Sequence, residues 1–248
     1  MSNKNRYMNN KSISIQFFQP SWFKIKTGSK IIYIDPAYLS KYYTMYPQKI
    51  DFTKWPDPID GLPDRDLEKA DLILISHHHK DHCKAVTVNR LKKTDTLIVA
   101  PKICTKELGE NIMITKPGDK INVGKIEIET TFAYNTEQGS STQKVHHKGE
   151  CLGFLISVDG RRIYHAGDTD FITEMKNLGK VDVAMLPIGG TFTMNIEEAV
   201  QATDTIKPKV VIPMHNLKAN PQEFKKKLEA KSNIDAIPLK IGEVYCLK

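Results

Sequence analysis

The sequence predicts an α/β protein in which two β-sheets carry helices on their outer faces. Three observations predict it. Strand patterns dominate the opening and middle of the chain, helical patterns interleave with strands from residue 170 onward, and the composition suits packed layers, with 40% hydrophobic and 26% charged residues. A chain of 248 residues can bury an ordinary core as a single domain spanning 1–248.

The elements follow in order. In "SISIQFFQPSWFKIKTGSKIIYIDP" polar and apolar residues alternate and the chain turns at "TGSK". This gives a first strand, a second at Trp22 to Lys26 and a third at Ile31 to Ile34, joined as hairpins. Turn signals then take over, and Tyr38, Tyr42, Tyr43, Tyr46, Phe52 and Trp55 gather in an aromatic-rich insert near 36–67. It is too long for an ordinary connection, so it is expected to be a surface flap or a substrate-lining loop. "ADLILIS" is a short buried strand, "KAVTVNRLKK" a helix, "TLIVA" a strand and "KIEIETTFAYN" an alternating strand. "CLGFLIS" and "RRIYHAG" pair around "VDG", the strongest hairpin signal in the chain. Helical "FITEMKNLG" leads to the strand "VDVAMLPIGG", and helical "NIEEAVQATDTI" stops before Pro208. The strand "VVIPMH" and the helix "PQEFKKKLEA", with Pro221 in its first turn, follow.

No window approaches the roughly 20 apolar residues that cross a bilayer, and the polar start "MSNKNRYMNN" lacks a secretory apolar segment. A cytoplasmic protein with no membrane partner is expected. Cys83, Cys104, Cys151 and Cys246 form no CxxC pair, which argues against a disulfide scaffold or thiolate zinc finger. The net charge of +7 suits an anionic small molecule, but the lysines are scattered and form no basic-aromatic platform for nucleic acid.

The eight histidines fall in four places: His77, His78, His79 and His82; His146 and His147; His165; and His215. Three of these places follow or end an apolar strand, where a sheet can hold ligands within tight distances. His77 and His79, two residues apart, leave one face of an extended chain and can chelate one ion. Asp81 and His82 leave the following turn in other directions and suit a second ion beside it. Asp168 follows Gly167 in "IYHAGDTD", where its two oxygens can bridge two cations; Asp170 better suits a cap for the helix around "FITEMKN". His215 emerges at the end of "KVVIPMH". Either His146 or His147 can supply a third imidazole to the first ion, and His165, inside its strand, is expected to support a ligand.

These residues carry a resemblance. "SHHHKDH" matches the metallo-beta-lactamase superfamily pattern of His, any residue, His, any residue, Asp, His at His77, His79, Asp81 and His82, and "GDT" and "MH" match its bridging carboxylate and final histidine. The stretch "YHAGDTDFITEMKNLGKVDVAMLPIGGTFTMNIEEAV" resembles small metal-dependent hydrolases related to ascorbate-6-phosphate lactonase. "HHKGECLG" is similar to their "HPKGxGxG", which puts the third imidazole at His146. The resemblance implies a four-layer αββα sandwich. It also implies ion one on His77, His79 and His146, ion two on Asp81, His82 and His215, and Asp168 between them. Zinc is its usual metal, and imidazole and carboxylate also accept Mn2+ or Fe2+.

Two such cations can hold a water as hydroxide for attack on a carbonyl or phosphoryl centre, with Asp81 orienting the nucleophile or accepting its proton and Asp168 as the other catalytic carboxylate. The expected activity is hydrolysis of a small ester, lactone or phosphoester. Nuclease or phosphodiesterase action on nucleic acid is one alternative, and a non-catalytic metal-binding scaffold is another. Tyr134, Asn135 and Thr169 are candidates for the pocket wall. Neither "GxSxG" nor "GxxxxGK" occurs, and Cys83 has no paired base to make it a nucleophile.

Overall fold

Neighbouring residues of one strand pack into two different cores. The computed structural model describes residues 12–28, 30–37 and 67–247; most of the aromatic-rich insert, with Tyr38, Tyr42, Tyr43, Tyr46, Phe52 and Trp55, lies outside the described residues. Strands β1 (Ile13–Phe17), β2 (Phe23–Lys26), β3 (Ile31–Ile34), β4 (Leu72–Leu74), β5 (Leu97–Ala100) and β6 (Met113–Ile114) lie in one sheet. The second sheet holds β7 (Lys120–Val123), β8 (Ile126–Ala133), β9 (Cys151–Val158), β10 (Arg161–His165), β11 (Val183–Pro187), β12 (Val210–Met214) and β13 (Asp235–Ala236). A last strand, β14 (Val244–Leu247), returns to the first sheet beside β1, so each sheet has seven strands among the described residues. Among the described residues the α-helices are α1 (Ala85–Leu91), α2 (Thr105–Leu108), α3 (Ile196–Ile206) and α4 (Pro221–Glu229).

The period of two along each strand makes the layers. Ile32, Ile34, Leu72, Leu74 and Val99 face the second sheet and join Ile128, Phe154, Ile156 and Ile163 in the large core. Tyr33, Ile73, Ile75, Ile98 and Ala100 point the other way and pack with Val88 and Leu91 of α1. On the far side of the second sheet, Ala199, Val200, Phe224 and Leu228 of α3 and α4 complete the core. The result is the four-layer αββα sandwich. Each sheet is mixed: β3 to β6 run parallel in one and β10 to β13 in the other.

Local chemistry sets the element ends. Asp159 and Gly160, at φ of 50° and 75°, make the tight turn between β9 and β10, as "VDG" requires. Asn195 caps α3 by accepting from Glu198 N at 2.9 Å. Asn220 caps α4, whose first residue is Pro221. "FITEMKNLG" forms only a 3-10 segment, Thr173–Asn177, without a side-chain cap. Asp170, expected to cap it, is instead buried and accepts from Thr136 N, Ser141 N and Ser141 Oγ. These three donors fix the loop before His146, and a Cβ on Gly139 would lie 2.1 Å from Asp170 Oδ2. Among the described residues no helix is long and apolar enough to cross a membrane.

Candidate metal centre

The clustered side chains stand where the sheets end. Asp35 follows β3, Ser76 and His77 follow β4, Asn135 follows β8, Asp168 follows β10 and His215 follows β12. All but β8 belong to the parallel part of a sheet, so their carboxyl ends share one edge. Leu152 N donates to Ser76 O at 2.9 Å and ties the start of β9 to the end of β4 across the two sheets. After His77 the chain bends, and a turn returns the amides of His82 and Cys83 to His79 O at 2.9 and 2.8 Å. That turn brings Asp81 and His82 back beside the first pair of imidazoles. Gly167, at φ 66°, makes the corner before Asp168, and a Cβ there would meet Leu152 O at 2.4 Å.

Donor atoms from distant segments converge. One ligand atom each from His77, His79 and His146 lie within 4.8 Å of one another, as do those of Asp81, His82 and His215 and those of His77, His82 and Asp168. His79 Nδ1 and His146 Nε2 approach to 3.2 Å. Asp168 divides its oxygens: Oδ1 is 3.4 Å from His82 Nε2, while Oδ2 is 3.2 Å from His215 Nε2 and 3.5 Å from His146 Nε2. Asp81 Oδ2 stands 3.3 Å from His215 Nε2. His147 and His78 are exposed, and only His146 of the adjacent pair turns inward.

A second layer of groups orients the imidazoles. His77 Nδ1 lies 2.9 Å from Ser76 Oγ, which donates to Asp35 Oδ2 at 2.6 Å, and His82 Nδ1 lies 2.8 Å from the same oxygen. His146 Nδ1 has two acceptors, Asn135 Oδ1 and Phe192 O, each at 3.1 Å. In each case an acceptor at Nδ1 favours a hydrogen on the outer nitrogen and leaves Nε2 turned inward. His165, expected to support a ligand, touches none by hydrogen bond among the described residues: its Nδ1 accepts from Gly167 N at 3.2 Å, at the corner before Asp168, and its Nε2 lies 3.1 Å from Ser21 O.

The electrostatics suit cations. His77 is fully buried with no hydrogen-bond partner for Nε2, and burial together with the surrounding imidazoles pushes its pKa well down. Burial likewise lowers His79, to about 4, and His146, leaving neutral ligands. Around the second group burial alone would lower His82 and His215, but Asp168 and Asp81 raise both. Burial would raise Asp81 and Asp168; the same histidines outweigh it and hold both carboxyls below their ordinary range. A buried lone pair with no donor and carboxylates grouped around imidazoles are the donor set that divalent ions satisfy.

These side chains border a cavity of about 360 Å³ lined by the histidine segment, Val145 and Phe192. A larger cavity of about 600 Å³, among Lys102, Ile114 and Lys116, contains none of the clustered imidazoles. Tyr134, Asn135 and Thr169 do not line the site cavity: Thr169 Oγ1 donates to Tyr134 O and Asp170 O, Tyr134 OH donates to Glu174, and Asn135 holds His146. Sequence reasoning missed Asp35 and Ser76. The one signal for Asp35 is an acid immediately after an apolar strand and before a proline, a weak cue by itself.

The family model described as a beta-lactamase superfamily domain matches residues 14–215. The chain belongs to the beta-lactamase superfamily. A UPF0173 metal-dependent hydrolase of Pyrococcus abyssi is 32% identical over 245 residues, covering 93% of this chain and 98% of the relative. Among solved structures, a candidate metal-dependent hydrolase from Parabacteroides distasonis is 31% identical with a TM-score of 0.75, covering 92% and 93% of the two chains. Igni18, a metallo hydrolase from Ignicoccus hospitalis, is 28% identical with a TM-score of 0.72, covering 96% and 99%. This member of the superfamily therefore shares its fold with both solved structures over most of its length, and carries its own clustered histidines and acids at the edge of both sheets.

Proposed function

We propose that the chain, as one hydrolase domain over residues 1–248, is a metal-dependent hydrolase of small esters, lactones or phosphoesters. The observation that carries this reading is the grouping of seven side chains from four separated segments into sets whose donor atoms lie within 4.8 Å. His77, His79 and His146 would hold one ion, Asp81, His82 and His215 a second, and Asp168 both. Zn2+ is the first candidate, and Mn2+ or Fe2+ suits the same imidazoles and carboxylates. When bound, such ions supply Lewis acidity and make water a competent nucleophile near neutral pH.

The chain's own groups do the remaining work. Asp81, the more accessible of the two carboxylates, would orient the attacking water or accept its proton, while Asp168 would set the spacing of the two histidine groups. Lys80 and His78 line the cavity and favour an anionic substrate. The cavity is near the lower end of the roughly 300–1,000 Å³ usual for small-molecule sites, which favours compact substrates over polymers. Likeness of the segment around Asp168 to relatives of ascorbate-6-phosphate lactonase puts lactones among the first compounds to try. The wide cysteine spacing, without a CxxC pair, favours a reducing compartment such as the cytoplasm.

Elemental analysis of purified protein should give about two divalent ions per chain, removable by chelator with loss of turnover. The panel is lactones, p-nitrophenyl esters, bis-nitrophenyl phosphate and a labelled oligonucleotide. Metal near zero would overturn the reading; two ions with no turnover on the whole panel would favour a non-catalytic scaffold, and preferred cleavage of the oligonucleotide a nuclease.

A further inference from the structure

Val145 is 39% exposed, one of five large apolar side chains so placed among the described residues, and the only one of them at the site cavity. Apolar surface left open beside a buried polar cluster suggests a ligand contact, and its neighbours show how it is built. Val145 N donates to Asn135 Oδ1 at 3.0 Å, next to the bond from His146 N to the same oxygen at 2.9 Å. Asn135 Nδ2 donates to Phe192 O at 2.9 Å, and Asn135 N donates to His146 O at 2.9 Å. One amide side chain thus fixes His146 and both halves of an apolar wall. The wall lines the same cavity as the His78 to Asp81 segment.

We propose that Val145 and Phe192 form the specificity wall of the site, selecting substrates that carry a compact apolar portion beside the scissile bond. This rests on the hydrolase reading above and refines its substrate class. Asn135 is the positioning residue that keeps the wall in register with the imidazole of His146. Each methylene seated on the wall should raise kcat/KM by about fourfold, the factor that removal of one such group from water supplies.

The test compares p-nitrophenyl acetate, butyrate and hexanoate as substrates, and acetate, butyrate and hexanoate as ligands of the zinc-loaded protein by calorimetry. Wild type should show kcat/KM and affinity both rising with chain length. Val145→Asp and the near-isosteric Val145→Thr should flatten the rise in both readouts, while Ile241→Ser, at an exposed apolar residue outside the cavity, should keep it. No chain-length dependence in wild type, or one that survives both Val145 variants, overturns the wall. Length-dependent binding that the variants abolish, with no ester, lactone or phosphoester of the panel above hydrolysed, keeps the wall and removes the hydrolase reading.

Discussion

His82 Nδ1 lies 2.8 Å from Asp35 Oδ2, with both side chains wholly buried and 47 residues apart in sequence. Asp35 also accepts from Ser76 N and Ser76 Oγ, each at 2.6 Å, so its carboxylate is locked before it meets the imidazole. This geometry fixes the hydrogen on Nδ1 and turns Nε2 toward Asp81 and Asp168. Asp35→Asn should keep the shape but lose the carboxylate. The expected result is a fall of about 10- to 100-fold in affinity for one of two zinc ions, measured by competition with a chromophoric chelator. Equal affinity in variant and wild type would remove Asp35 from the site.

The adjacent histidines 146 and 147 offer a sharper contrast. His146 is buried against Asp168 and His79, whereas His147 is exposed. His146→Ala should lower bound metal by about one equivalent in elemental analysis, because the first ion would keep only two imidazoles beside the Asp168 carboxylate. His147→Ala should bind as wild type does. Reversal of this order would mean that the loop presents the other imidazole in solution.

Spacing in the sequence revealed the metal-ligating types because strand ends are rigid and histidine is rare enough for "HHHKDH" to stand out. Partner choice was less legible. Asp170 has the form of a helix cap, yet three donors from the loop at 136–141 outcompete that role, and nothing local announces a contact formed across 29 to 34 residues. Asp35 was missed for the same reason: its value comes from β3 and β4 lying side by side in parallel. In the fold, strands with clean alternation such as β8 were readable. Two-residue β6 and β13, and the largely exposed edge strand β14, have too little buried face to leave a pattern.

Asp168 and Cys83 separate ligation from mere proximity. Cys83 follows His82 and is buried, but it packs with Ile75 and Val88 in the outer core. Cys83→Ala should cost about 1 kcal/mol in stability and leave metal content near two ions. Asp168→Ala removes the carboxylate facing His82, His146 and His215, and should cut turnover of the best substrate by more than about 100-fold. Parallel assays of kcat/KM and zinc content decide the matter; equal losses in the two variants would contradict the assigned parts.

Acid sensitivity at the opposite end of the second sheet should be independent of the metal. Asp182 precedes β11 and pairs with Lys209, which precedes β12, at 2.8 Å, while Arg162 N donates to its other oxygen at 2.9 Å. Burial would raise its pKa, but Lys209 and the Arg162 amide outweigh that and lower it below the ordinary 3.8. The unfolded chain therefore takes up a proton at this carboxyl at higher pH than the folded one. Its stabilising effect is complete above the unfolded value and drains away as pH falls through the lowered folded one. Asp182→Asn should unfold at lower urea than wild type at about pH 7, with the gap narrowing by about pH 3. Both proteins lose metal alike on acidification, so the difference between their midpoints isolates this carboxyl. A gap that stays constant over the range would show that Asp182 holds its proton equally in the two states.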